Sequence, residues 1–141
     1  GTIQMLSVPY SLYSKTAGKM LLRSLTSTEI LGLAPEGADS PDGKLMLPPA
    51  GVGRFMAHLG TRGLEFVPVG VCEEDGRLTA RFGAPFVPDV KQSGPRTEID
   101  RVIADQVMGV LARLLPGRLR GPWATSRVPG SEQLPGRLAE Q

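Results

Sequence analysis

A short apolar run that ends in a Pro-Glu-Gly turn constrains the fold more than any other part of this sequence. Residues 30–34 read Ile-Leu-Gly-Leu-Ala, and residues 35–37 read Pro-Glu-Gly. The run is apolar throughout, without alternation, which is typical of a strand buried on both faces of a parallel sheet. Such a strand carries the carboxylate of Glu36 to its C-terminal end, the edge at which open α/β sheets bind ligands.

The residues after this turn predict a loop, a helix and a second buried strand. Turn-forming residues dominate positions 35–49, apolar residues at helical spacing predict a helix over residues 50–59, and another apolar run predicts a strand over residues 65–72. Gly60 stands where a glycine that ends a helix is expected. Strand, helix and strand in this order predict a βαβ unit with parallel strands and a right-handed crossover.

A β-hairpin and a final helix are predicted next. Asp75-Gly76 is a strong signal for a two-residue turn, so residues 78–82 are expected to pair antiparallel with residues 67–72. Residues 97–100 read Thr-Glu-Ile-Asp, which is similar to a capping box at the start of the last helix. The predicted fold class is therefore α/β, with a mixed sheet, a βαβ core, a β-hairpin and a C-terminal amphipathic helix.

The two terminal segments, the net charge and the single cysteine give further predictions about structure, binding and compartment. A further helix is predicted over residues 16–25, and residues 118–141 lack apolar periodicity, which predicts a disordered basic tail. The net charge of +2 is too small to indicate nucleic-acid binding. The single cysteine, Cys72, excludes an internal disulfide and a cysteine-cluster zinc site, and it favours a reducing, cytoplasmic compartment.

Four blocks of sequence follow one another in the order found in a known enzyme family. Residues 32–40 read Gly-Leu-Ala-Pro-Glu-Gly-Ala-Asp-Ser, residues 66–70 read Phe-Val-Pro-Val-Gly, and residues 81–85 read Arg-Phe-Gly-Ala-Pro. Residues 107–120, followed by Gly121, are similar to the closing helix of that family. Together the blocks resemble the glycerolipid acyltransferases, the 1-acylglycerol-3-phosphate acyltransferases and their relatives, whose first matching block typically reads Phe-Pro-Glu-Gly-Thr-Arg-Ser.

The resemblance implies a reaction and a set of site residues. A fatty acyl group would pass from acyl-CoA or acyl carrier protein to the hydroxyl of a lysophospholipid or glycerol-phosphate acceptor, without a further cofactor, a metal or nucleic acid. The partners would be this thioester and the lysolipid, with peripheral contact at an anionic membrane surface left open. The residues assigned to the site are Glu36, Gly37 and Ser40 for the acceptor, and Val67, Pro68 and Val69 for the acyl or acceptor pocket.

Two departures from the family pattern limit this reading. The family's catalytic block is a His with an Asp five residues later, ahead of the Pro-Glu-Gly block. The only histidine here, His58, lies after that block and has Gly63 at the corresponding position. In addition, Ala38 and Asp39 stand where Thr and Arg are usual, so a carboxylate replaces an expected phosphate-binding cation.

These departures leave catalysis by this chain open. We expect residues 1–117 to form one acyltransferase-like domain, truncated on its N-terminal side, that supplies the acceptor-binding half of the site and no catalytic residue. One alternative is a non-catalytic lipid-binding or interaction module on a degenerate scaffold. Another is an unrelated small α/β domain that binds a partner through residues 35–49. Arg113, Arg118 and Arg120, with Trp123, fit either contact with anionic lipid headgroups or a solvated helix end.

Overall fold

The computed structural model describes residues 3–5, 30–90 and 93–124 of the chain, and within them the protein has mixed α/β character. Two short strands pair in parallel, two longer strands form an antiparallel hairpin, and two helices pack against each other. In chain order, the elements are β1 (Ile3–Met5), β2 (Ile30–Gly32), α1 (Val52–Thr61), β3 (Val69–Glu74), β4 (Arg77–Phe82), α2 (Arg96–Arg113) and two 3-10 turns (Gly117–Leu119 and Gly121–Trp123).

The predicted hairpin is confirmed. Strands β3 and β4 pair antiparallel over six residue pairs, from Val69 opposite Phe82 to Glu74 opposite Arg77. The two residues between them, Asp75 and Gly76, both have left-handed backbones with φ of 51° and 71°. These are the angles that a type I′ hairpin turn requires, which explains why this dipeptide was a reliable signal.

Strand β3 begins later than the sequence pattern predicts, and Pro68 is the reason. Proline has no backbone N–H to contribute to a sheet. Ahead of it, Phe66 and Phe86 exchange two backbone hydrogen bonds at 2.8 and 2.9 Å as an isolated bridge. The carbonyl of Pro68 accepts from the N–H of Gly83 at 2.9 Å. Pro68 therefore precedes the regular strand and does not interrupt its interior.

The predicted parallel pairing between the strand at residues 30–34 and the strand at residues 65–72 stays a prediction. Among the described residues, β2 pairs with β1, and β3 pairs with β4. Leu33 and Phe66 nevertheless pack on the same apolar cluster, which Val52, Met56 and Val107 form between the two helices. The helix predicted over residues 16–25 lies outside the described residues.

Helices α1 and α2 pack against each other, and their backbones approach closely at Gly53. This glycine is buried, and a Cβ atom added to it would meet the carbonyl oxygen of Asp100 and lie 2.8 Å from the nitrogen of Ala104. On α2 the buried residues recur every three or four positions, so one face of the helix packs inward: Asp100, Ile103, Ala104, Val107, Met108, Gly109 and Ala112. Glycine is thus required by contact at this crossing.

Two predicted helix ends are wrong in their details. Helix α1 ends at Thr61, and the left-handed glycine that follows it is Gly63, not Gly60. Gly63 has φ of 86°, and the N–H of Leu64 donates to the carbonyl of Leu59 at 3.2 Å. This is the hydrogen bond of a Schellman motif, which needs a left-handed residue after the helix. The capping box at residues 97–100 does not form, because α2 begins directly after Pro95 and the carboxylate of Asp100 binds α1 instead.

The ordered chain extends beyond residue 117, which corrects the predicted start of a disordered tail. Residues 117–124 form two 3-10 turns, and Trp123 is only 5% exposed. Its ring packs with Met108 and Ala112 of α2. The indole is therefore part of the apolar core beside α2. Residues 125–141 lie outside the described part of the chain.

Candidate functional site

The Pro-Glu-Gly turn follows β2 after Leu33 and Ala34, and it holds Glu36 in a fixed place. The N–H of Gly37 donates to the carbonyl of Ala34 at 3.2 Å, which closes a turn over residues 34–37. Gly37 has φ of 72°, in the left-handed region that a residue without Cβ adopts most easily. Pro35 is buried inside this turn, while Glu36 is half-buried. The predicted carboxylate therefore does lie just past the C-terminal end of a strand.

One oxygen of Glu36 is already used by the protein itself. Its Oε2 accepts a hydrogen bond from the backbone N–H of Met46 at 2.7 Å. Partial burial raises the pKa of the Glu36 carboxyl above its ordinary value of 4.5, and the N–H of Met46 opposes that shift. The contact joins two residues that are ten positions apart, so Glu36 also organises the loop that leads to α1.

A second polar group lies further along the same loop, around Asp42. Its Oδ1 accepts hydrogen bonds from the hydroxyl of Ser40 at 2.9 Å and from the backbone N–H of Lys44 at 3.1 Å. The ammonium of Lys44 is 4.0 Å from Oδ2. The backbone N–H of Lys44 and then the Ser40 hydroxyl lower the pKa of the Asp42 carboxyl. Asp42 was predicted only as a turn residue; its Asp-Gly pattern could have indicated a side chain that binds its own loop.

The loop forms one wall of an open cleft of about 500 Å³. The opposite wall is the turn at Gly121–Trp123, held in place because the N–H of Leu45 donates to the carbonyl of Leu119 at 2.8 Å. Polar side chains line one part of the cleft and apolar side chains line the rest: Ser40, Asp42 and Lys44, with Met46, Leu47 and Pro122. The charged side chains of this lining, Asp42 and Lys44, keep more than half of their surface in contact with solvent.

The structure brings together only part of the predicted site. Ser40 lines the cleft, and Glu36 is linked to it through the hydrogen bond with Met46. Residues 67–69 lie elsewhere, at the start of the hairpin, where Pro68 is buried while Val67 and Val69 are exposed. They do not line this cleft. The lining contributed by Lys44 and Pro122 was missed, because their proximity depends on the turn at Gly121–Trp123 that the sequence pattern assigned to a tail.

One face of the hairpin is apolar and open to solvent. Val69 lies opposite Phe82 and Val71 opposite Ala80, so these side chains share a face of the two-stranded sheet. Phe82 is 71% exposed and Leu78, on the same face opposite Glu73, is 81% exposed. We call this surface, formed by Val69, Val71, Leu78 and Phe82, the outer hairpin face. Exposed apolar surfaces of this kind mark interaction sites.

The histidine, the cysteine and the two arginines near the end of α2 lie outside the cleft. His58 is exposed on α1, and Cys72 is buried in β3 as a free thiol. Arg118 and Arg120 donate to the backbone carbonyls of Glu73 and Leu115 at 3.3 and 3.0 Å. In the described part of the chain, no cluster of His, Cys, Asp and Glu is arranged to hold a metal ion. Neither described helix has the length and apolar character needed to cross a bilayer.

Comparisons with protein-family models, with curated proteins and with solved structures found no match.

Proposed function

We propose that this chain supplies the acceptor-binding half of a glycerolipid acyltransferase-like domain. The observation that carries the proposal is the partly desolvated Glu36 carboxylate, which follows β2 in a Pro-Glu-Gly turn and has a raised pKa. Perturbed carboxyl groups beside a cleft are frequent at functional sites. The order of the four acyltransferase-like blocks along residues 32–121 supports the same reading. In the complete domain, β2 and β3 would be parallel neighbours with α1 as their crossover.

The chemistry assigns this half of the site a binding role. In acyl transfer, the oxygen of the acceptor hydroxyl attacks the thioester carbonyl, the carbon–sulfur bond breaks, and the thiol of coenzyme A or acyl carrier protein leaves. A general base takes the hydroxyl proton. Glu36 would accept a hydrogen bond from another hydroxyl of the acceptor and orient it, while Gly37 would let the acceptor approach the backbone. The base would come from a His outside these residues, since His58 lies on the exposed side of α1.

The location that fits this function is the cytoplasmic surface of a membrane, where lipid acceptors are available. The described residues offer no helix that could span the bilayer.

The experiment that tests the proposal measures acyl transfer from a labelled acyl-CoA to lysophosphatidate and to a monoacylglycerol. We expect no turnover from the purified 141-residue chain. The natural coding sequence is then read upstream for a His followed five residues later by an Asp. A longer protein that contains this pair should catalyse the transfer.

In that longer protein, Glu36→Ala should raise the KM for the acceptor by at least about tenfold and leave the KM for the thioester unchanged. Glu65→Ala is the matched control because Glu65 is an exposed carboxylate on another segment. Turnover by the 141-residue chain alone, or an acceptor KM that Glu36→Ala does not change, would contradict the proposal.

A non-catalytic lipid-binding or interaction module is the second candidate, and the outer hairpin face favours it. In a half-domain this face would be covered by the rest of the domain, whereas a module would use it to bind a lipid surface. Co-sedimentation with neutral and anionic vesicles separates the two. A module should bind vesicles and lose this binding in Leu78→Ser, while a half-domain should not bind them; Thr79→Ser, on the other face of the same strand, is the control.

A further inference from the structure

The side chains that line the cleft between residues 40–47 and the Gly121–Trp123 turn indicate which kind of ligand it could bind. Its polar part contains a hydroxyl, a carboxylate and an ammonium group, from Ser40, Asp42 and Lys44. Its apolar part includes Leu47, which is 69% exposed, and Pro122. A ligand that fills this space therefore needs a polar head and an apolar body. The cleft has a volume of about 500 Å³ and is open to solvent, and more than half of the side-chain surface of Asp42 and Lys44 is exposed.

The charge of the loop opposes an anionic head. Residues 36–44 contain three carboxylates, on Glu36, Asp39 and Asp42, against the single ammonium of Lys44. That ammonium is 4.0 Å from Asp42, so it already has an anionic partner. A phosphate group that bound Lys44 would have to enter beside the Asp42 carboxylate, and like charges at such range repel.

The cations on the facing side do not change this balance. Arg118 and Arg120 are the charged residues next to the Gly121–Trp123 turn, and neither lines the cleft. The Arg118 guanidinium donates to the carbonyl of Glu73, and that of Arg120 donates to the carbonyl of Leu115. These hydrogen bonds hold the two guanidinium groups at the hairpin and at the end of α2, outside the lining of the cleft.

Hydroxyl groups suit the polar end of the cleft better than a phosphate does. The carboxylate of Asp42 accepts hydrogen bonds only, so it can bind the hydrogen of a ligand hydroxyl. The Ser40 hydroxyl gives its hydrogen to Asp42 and keeps lone pairs that can accept another. The ammonium of Lys44 can donate to a ligand oxygen. A head with two neighbouring hydroxyls can use all three groups without bringing in a charge.

We propose that this cleft binds the head of an uncharged, hydroxyl-bearing lipid, of which a monoacylglycerol is the simplest example, in preference to its phosphorylated counterpart. The inference rests on the proposed function and narrows its acceptor class. It assigns Asp42 and Lys44 as specificity-determining residues.

The test uses the fluorescence of Trp123, which is the only tryptophan in the chain and follows Pro122 of the cleft wall. The 141-residue chain is titrated with a short-chain monoacylglycerol and with the lysophosphatidate of the same acyl chain, both below their micelle concentrations. We expect saturable binding of both, at least about tenfold tighter for the monoacylglycerol. Leu47→Ser should weaken the binding of both lipids by a similar factor, because it removes apolar contact and no charge.

Variants that change charge test whether Asp42 and Lys44 determine the preference for an uncharged lipid head. Asp42→Asn frees Lys44 from its anionic partner, and it should reduce the preference by at least about tenfold. Lys44→Gln should increase the preference. Asp75→Asn is the matched control: it removes the same charge at the hairpin turn, where φ is 51° and asparagine is well accepted, and the preference should stay unchanged.

Several results would overturn the inference: equal or tighter binding of lysophosphatidate by the unmodified chain, an unchanged preference in Asp42→Asn, or no saturable binding of either lipid. None of these readings depends on catalysis. A longer protein that acylates lysophosphatidate in place of monoacylglycerol would leave the proposed acyltransferase function intact and refute only this narrower acceptor class.

Discussion

The carboxylate of Asp100, in α2, accepts a hydrogen bond at 2.7 Å from the backbone N–H of Gly51, the residue that precedes α1. Its other oxygen accepts from the N–H of Arg54 at 2.9 Å. Gly51 has no side chain with which to cap its own helix, and α1 has no acidic residue in its first turn. Asp100 is only 9% exposed, so one helix supplies the buried cap of another. The contact fixes how the two helices cross.

Asp100→Ala should lower the free energy of unfolding by about 1–3 kcal/mol, because two helix N–H groups lose a partner at a partly buried site. Asp100→Asn should lose less, since its amide oxygen can still accept one of these bonds. Urea unfolding measures both. Asp105→Ala is the control, because the pair that Asp105 forms with Arg101 is exposed, and its effect should be below about 0.5 kcal/mol. Equal losses for Asp100→Ala and Asp105→Ala would refute the capping role.

Gly53→Ala should be more damaging than the small size of the change suggests. The added Cβ would meet backbone atoms of Asp100 and Ala104, which cannot move aside as a side chain can. We expect a loss of at least about 2 kcal/mol through separation of the two helices. Thermal unfolding followed by circular dichroism is the measurement. Arg54→Ala, at the exposed neighbouring position, should stay within about 0.5 kcal/mol of the parent chain. If alanine is tolerated at position 53, the close helix crossing is incorrect.

Glu36→Gln should change how stability depends on pH. Burial raises the pKa of the folded-state carboxyl above 4.5, so the folded protein holds this proton at a pH where the unfolded chain has released it. The contribution of Glu36 to the unfolding free energy therefore falls as pH rises from 4.5 to the folded-state pKa, and is constant above it.

Glutamine has no such titration and still accepts from Met46, so Glu36→Gln should gain stability relative to the parent over this pH interval. The gain should be under about 1 kcal/mol because the group keeps contact with water. Urea unfolding at a series of pH values measures it, with Glu65→Gln as control. A stability difference that does not vary with pH would show that the Glu36 pKa is not raised.

Gly121→Ala should open the cleft. Gly121 has φ of 54°, and an added Cβ would meet the carbonyl oxygen of Leu45 and lie 3.1 Å from its carbonyl carbon. We expect the turn to move away from residues 40–47, with a loss of about 1–3 kcal/mol and greater exposure of Trp123. The shift of Trp123 fluorescence to longer wavelength measures that exposure. Gly117→Ala, where a Cβ meets nothing within 4 Å, should leave the emission unchanged.

Local chemistry accounts for the features that sequence reasoning placed correctly. Asp75-Gly76 needs no distant partner to favour a left-handed turn, so the hairpin could be predicted from the dipeptide and its flanking strands. Helix α1 could be predicted from its apolar spacing, although its bounds moved by two residues to Val52–Thr61. The carboxylate of Glu36 could be placed past the end of a strand because Pro35 and Gly37 together specify a turn.

The errors concern groups whose partners lie far away in sequence. Asp100 has the sequence context of a cap for its own helix, and its actual partners are 49 and 46 residues earlier. Gly60 was expected to end α1, whereas it lies inside the helix, where an added Cβ would be 2.8 Å from the side chain of Val87. Trp123 follows a Pro-Gly pair that suggests a tail, and its burial depends on the space beside Met108 and Ala112.

By itself, the sequence determined the mixed α/β character, the hairpin and the turn that presents Glu36, because backbone preferences of adjacent residues suffice for these. Only the tertiary structure decided that Asp100 caps α1, that Gly53 lies at a helix crossing, and that residues 40–47 face Gly121 and Pro122 across a cleft. Burial and long-range hydrogen bonding control those choices. They depend on which surfaces of the helices, strands and loops pack together, and local sequence patterns do not specify that packing.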